Sequence, residues 1–288
     1  MTISARNQTL AELLRLCSAS PARIRGTDEV ARMEEKRMSL LACEDPAILF
    51  HLVVDYLSEK ANIDCLTREQ RQQLLAICEP MTPLLSAVED AKVMQCAVVF
   101  PDIIPALLKQ GANPKACRSP HKTIPGLRLF DALVNNATSL SDALGSDEVV
   151  KFYRQVIDLG AYPNTAFNDT QAPALVETAF SLETDYFLLD TIQYALSKDA
   201  SEANELLAAS IMIRDGGASL AQIAIEAGGD LLHIPTKNNP DGSTFIEIAR
   251  QHAEPFFINI LEGYLPEAQA RELNQGTPGA KHQKTRRF

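Results

Sequence analysis

Six cysteines and five histidines are the side chains of this 288-residue sequence best suited to hold a metal or attack a carbonyl. The cysteines (Cys17, Cys43, Cys65, Cys78, Cys96 and Cys117) are scattered, and no two form a CxxC pair. The closest Cys–His pairing is Cys117-Arg118-Ser119-Pro120-His121. A tetrahedral zinc site needs about four ligands, usually supplied as two such pairs. His51, His233, His252 and His282 have no cysteine partner of this kind, so no metal is expected. A Cys/His nucleophilic couple meets in space rather than in sequence. No cysteine here has a recognisable nucleophile context, so no catalytic residue is assigned. Gly216-Gly217 and Gly228-Gly229 are the candidates for a phosphate cradle. Neither fits GxxxxGK[ST] or GxGxxG after a predicted strand, so both read as helix ends and no cofactor is expected.

The elements that would carry these residues are helical. Hydrophobic residues make up 46% of the chain and aromatics only 6%, with no Trp, a balance that favours helix-on-helix packing. The net charge of −10 argues against general binding to nucleic-acid phosphates. Only the end is basic, where Lys281, Lys284, Arg286 and Arg287 fall within the last eight residues. No stretch approaches the ~18 apolar residues of a membrane span, and Met1 to Arg6 lacks the apolar run of a signal peptide. These features predict a soluble, cytoplasmic protein with reduced cysteines.

The first 80 residues read as several helices. Leu10, Leu13, Leu14 and Cys17 fall at helical spacing, a second run covers about Asp28 to Cys43, and a third covers Asp45 to Lys60. Thr67 with Gln70 resembles a capping box that opens a fourth helix towards Cys78.

From Glu79 the pattern changes. Met81-Thr82-Pro83-Leu84-Leu85 predicts a helix start, because Thr can satisfy a first-turn amide and Pro has none to satisfy. A second apolar helix from Ile103 to Gln110 ends at Gly111-Ala112-Asn113-Pro114. The same ending returns at Gly160-Ala161 and Gly228-Gly229, where glycine suits the left-handed cap of a helix. A recurring ending implies a recurring unit.

Thr82-Pro83-Leu84 with Ala87, and Leu107-Leu108-Lys109-Gln110-Gly111-Ala112, resemble the opening and the close of the ankyrin repeat, a unit of about 33 residues. Asp241-Gly242-Ser243-Thr244-Phe245-Ile246 with Ala249 resembles another opening. Further units are expected to start at Leu127 and Pro173, and a fourth at Asn204, closing at Gly228; the fifth runs from Thr244 to near Gly263. The motif's His is replaced by Leu85, Phe130, Val176, Leu207 and Glu247. The first two units are long, with 29 residues from Thr82 to Gly111 and 33 from Leu127 to Gly160, against about 21 in the family. The extra residues must lengthen helices or bulge between them, notably near Ala91–Phe100 and Ala137–Asp147.

The resemblance implies an all-α ankyrin-like solenoid. Its parts would be an N-terminal helical cap region (1–80), about five degenerate repeats with insertions (81–265) and a basic flexible tail (266–288). It also implies a non-catalytic module that binds a partner protein through projecting loops and a concave face. The long loops are Asn113–Thr123, Tyr162–Ala172 and Gly229–Ser243. Their candidate partner-binding residues are Arg118, His121 and Lys122, then Tyr162, Phe167, Asn168 and Asp169, then Lys237, Asn238, Asn239 and Asp241. The divergent units also resemble ankyrin proteins that intracellular bacteria deliver into host cells, where the basic tail would suit a secretion signal. Two other readings remain open. One is an enzyme or enzyme-regulating protein with residues 1–80 as its effector part, and the other is a helical adaptor that dimerises through that region.

Overall fold

The computed structural model describes residues 3–18, 31, 35, 38–40, 42–60, 66–84, 90–118, 127–161, 188–213, 216–233 and 242–275. The described chain is predominantly helical. Its helices are α1 (Ile3–Ser18), α2 (Pro46–Lys60), α3 (Arg68–Cys78), α4 (Asp90–Val99), α5 (Ile104–Lys109), α6 (Leu129–Val134), α7 (Ala137–Leu144), α8 (Ser146–Asp158), α9 (Leu188–Lys198), α10 (Ala203–Ser210), α11 (Gly217–Glu226), α12 (Phe245–His252) and α13 (Pro255–Gln275). Two short strands, β1 (Cys117–Arg118) and β2 (Leu127–Arg128), pair antiparallel with Cys117 opposite Arg128. No described helix is long and apolar enough to cross a membrane.

The chain divides into two compact units, 1–191 and 192–288. In the first, α1 packs on α2 and α3, α2 packs on α4, α4 on α6, and α5 on α8. The expected boundary near residue 80 therefore falls inside this unit. In the second, α10 packs on α11, and α13 packs on both α11 and α12.

Local sequence explains most helix ends. On α1 the buried residues Leu10, Leu13 and Leu14 share one face. At the start of α2, Asp45 Oδ1 accepts the Ala47 amide at 2.8 Å, and Pro46 needs no acceptor. The expected capping box opens α3: Gln70 donates its amide to Thr67 Oγ1 at 3.3 Å and accepts the Thr67 amide at 2.9 Å. The core of the first unit holds Phe50, Phe100, Phe130 and Tyr153, all at most 2% exposed. Burying each such ring contributes roughly 1.5–3 kcal/mol. Phe130 and Phe152 both meet Tyr153 edge-on, at 6.0 and 5.5 Å.

Several expectations are corrected. Thr82-Pro83 does not open an α-helix: residues Glu79–Leu84 form a 3-10 helix, and buried Thr82 donates its hydroxyl back to Glu79 O at 2.9 Å. An α-helix spans Asp90–Val99, so the extra residues expected near Ala91–Phe100 fall within a helix. The second opening is shifted by one residue. Leu127-Arg128 is strand, α6 starts at Leu129, and the third helical position is Asp131, not Phe130. The stretch Asn204–Ser210, expected to open a fourth unit, lies in the helix Ala203–Ser210. Gly263 closes nothing, because α13 runs straight through it. The extra residues near Ala137–Asp147 do form an additional helix, α7. The expected opening at Pro173 lies outside the described residues.

Candidate functional site

The three predicted glycine endings share one geometry, and this geometry sets where each following loop leaves the helix. Gly111, Gly160 and Gly228 have φ of 98°, 91° and 109°. Each glycine amide bonds a carbonyl three residues back, at Leu108, Ile157 and Ile225. Each following amide bonds one five residues back: Ala112 to Leu107, Ala161 to Val156, Gly229 to Ala224. This is the Schellman closure, with glycine in the left-handed region that side chains disfavour.

Beyond two of these caps the loop repeats further. Asn113 Oδ1 accepts the Lys115 amide at 3.0 Å, and Asp230 Oδ1 accepts the Leu232 amide at 2.9 Å. Both residues also reach the first helix of their own pair. Asn113 Nδ2 donates to Asp90 Oδ2 at 3.0 Å, and the Asp230 amide donates to Asn204 Oδ1 at 2.9 Å. Five residues after each glycine, a carbonyl accepts the first amide of the next helix: Leu129 donates to Ala116 O and Phe245 to His233 O, both at 3.0 Å. Those next helices open alike as well. The Arg128 amide donates to Asp131 Oδ2 at 3.2 Å, and the Thr244 amide to Glu247 Oε2 at 2.8 Å.

The predicted binding residues fall, with one exception, outside what the structure describes. Arg118 is placed by its backbone in β1, while its side chain lies outside the described residues. His121, Lys122, Tyr162, Phe167, Asn168, Asp169, Lys237, Asn238, Asn239 and Asp241 lie outside the described residues. Cys117 is likewise placed by its backbone only.

Among the described residues, no group of three or more His, Cys, Asp or Glu could hold a metal ion. Burial pushes the Cys78 thiol far up, reinforced by neighbouring Cys96 and weakly opposed by Arg6. Such a thiol stays protonated and is a poor nucleophile. A surface cleft of about 460 Å³ is lined by Arg68, Leu144, Gly145, Ser146, Asp147 and Glu148. Its charge is mixed: the Arg68 cation faces the acidic first turn of α8, and Glu148 also accepts from Lys151 at 2.7 Å.

Two buried ion pairs stand outside the motifs of the sequence. Arg71 donates Nε to Asp102 Oδ2 and Nη2 to Oδ1, the latter at 3.4 Å, and both side chains are 2% exposed. Burial pushes the Asp102 carboxyl up, and Arg71 pulls it down. Arg128 grips Asp131 through Nε at 2.7 Å and Nη2 at 3.1 Å. The second pair lies at helical i,i+3 spacing and was legible. The first joins residues 31 apart, with nothing local to mark it. No family model, curated protein or solved structure matches this chain.

Proposed function

We infer that this chain is a divergent ankyrin-like repeat protein that binds a partner protein and has no catalytic centre of its own. The observation that carries this reading is the loop closure that occurs twice. In each case a left-handed glycine cap is followed by an Asx turn, a bond back to the first helix of the pair and a carbonyl that receives the next helix. Repeats of this kind bury their helices against neighbours and leave their loops to a partner.

The packing narrows which surface would serve. All six residues of α6 are buried, so in that unit the helix has no face to offer and contact falls to the loops. The partner surface is therefore assigned to the loops after Gly111, Gly160 and Gly228, with Tyr162 and Phe167 as aromatic anchors beside Arg118, His121 and Lys122. The test is affinity capture from lysate with the wild-type chain and with a Tyr162→Ala, Phe167→Ala double variant. The variant should recover much less of the same proteins while keeping its helical circular dichroism. Equal recovery would remove the loop assignment.

A further inference from the structure

In the first unit, α7 is held differently from its neighbours. It is inserted between α6 and α8 and lies against α3. Its buried side chains are Ala137, Leu140 and Ala143, so one large apolar group carries most of its docking. The adjoining α8 buries Val149, Phe152, Tyr153, Val156 and Ile157. Stabilisation by burial follows apolar area, so apolar packing holds α7 less firmly than α8. Neither α7 nor α8 has a side-chain cap at its N-terminus.

The two ends of α7 differ. Its C-terminal end turns at Gly145, where φ is 87°. A Cβ at that position would stand 3.4 Å from Arg68 Nη1, and the Arg68 cleft opens at the same turn. At its N-terminal end the Asn136 side chain ties it to two neighbours. Asn136 Nδ2 donates to Ala132 O at 2.8 Å and to Ala97 O at 3.4 Å, tying the start of α7 to α6 and α4.

We propose that α7 is a strap across α3 that opens as one piece about Gly145, with Asn136 as its latch. Opening widens the Arg68 cleft while α3, α4 and α8 stay folded. Segments with few buried apolar contacts open locally, well below the free energy of global unfolding. Glycine at positive φ lets the turn reorient without a side-chain penalty. This inference does not depend on the ankyrin-like reading.

The test is hydrogen–deuterium exchange on the full chain, comparing peptides that cover 137–145 and 149–158. The reporting amides include Leu140 and Gly145, bonded to Asn136 O and Ser141 O at 2.9 and 2.7 Å. The first peptide should exchange at least about tenfold faster than the second, with little dependence on low urea. Asn136→Ala should speed the first severalfold more and leave the second unchanged. Equal exchange in the wild type, or equal acceleration of both peptides by Asn136→Ala, overturns the proposal. If Asn136→Ala does not fold, the wild-type urea dependence decides: a slope for 137–145 as steep as that of global unfolding also overturns it.

Discussion

Removing one partner of the Arg71–Asp102 pair should cost far more than removing both. At 3.4 Å and an effective dielectric of about 20, the attraction is about 5 kcal/mol. Taking each ion out of water costs several kcal/mol, so the pair roughly cancels its own desolvation. Asp102→Ala leaves a guanidinium that is 2% exposed without its carboxylate, at a cost of about 3–5 kcal/mol. The combined Arg71→Met, Asp102→Leu variant removes both desolvation costs and should unfold within about 1 kcal/mol of wild type, or above it. Urea unfolding followed by circular dichroism at 222 nm measures all three chains, with the first unit's transition as the readout.

The pH dependence gives a second check on the same pair. In Arg71→Met the pull that lowers the Asp102 carboxyl is gone, and burial alone pushes it up. The folded-state value then exceeds the unfolded value of about 3.9, so the folded state binds the proton more tightly. Stability is therefore greatest below the unfolded value and is lost as pH rises through the folded one. Arg71→Met should recover stability relative to wild type on going from neutral to mildly acid solution. The reasoning fails if Asp102→Ala costs less than about 1 kcal/mol, or if the double variant loses the sum of the single losses.

The helix ends and the core allow two further tests. Gly228→Ala meets nothing within 4 Å but must hold φ at 109°, a backbone cost of about 1–2 kcal/mol. Gly229→Ala would set its Cβ 2.8 Å from Ala224 O and 3.2 Å from Ala203 O, so it should lower the melting temperature more than Gly228→Ala does. The reverse order would refute the described cap. Tyr153→Phe removes a buried hydroxyl that donates to Leu133 O at 2.7 Å; that oxygen keeps the Asn136 amide, so the loss should be about 0.5–1.5 kcal/mol by urea unfolding.

How much was legible in the sequence followed the range of each interaction. Gly111, Gly160 and Gly228 were readable because a Schellman closure is built from about six consecutive residues. The Thr67–Gln70 capping box was readable for the same reason. The Thr82-Pro83 signal misled because such a pair suits the first turn of either an α- or a 3-10 helix, and the choice between them is not local. The loop residues offered as anchors, from Arg118 to Asp241, rest on the sequence alone.

By itself, then, the sequence determined the helical class and the glycine endings. Tertiary structure decided where the helices around those endings begin and that Ala137–Leu144 form α7 against α3. It also decided that Arg71 finds Asp102. Caps and turns are satisfied by neighbours in the chain, so residue type announces them. A buried charge is paired by whatever the packing brings alongside it, and that depends on the whole unit having folded.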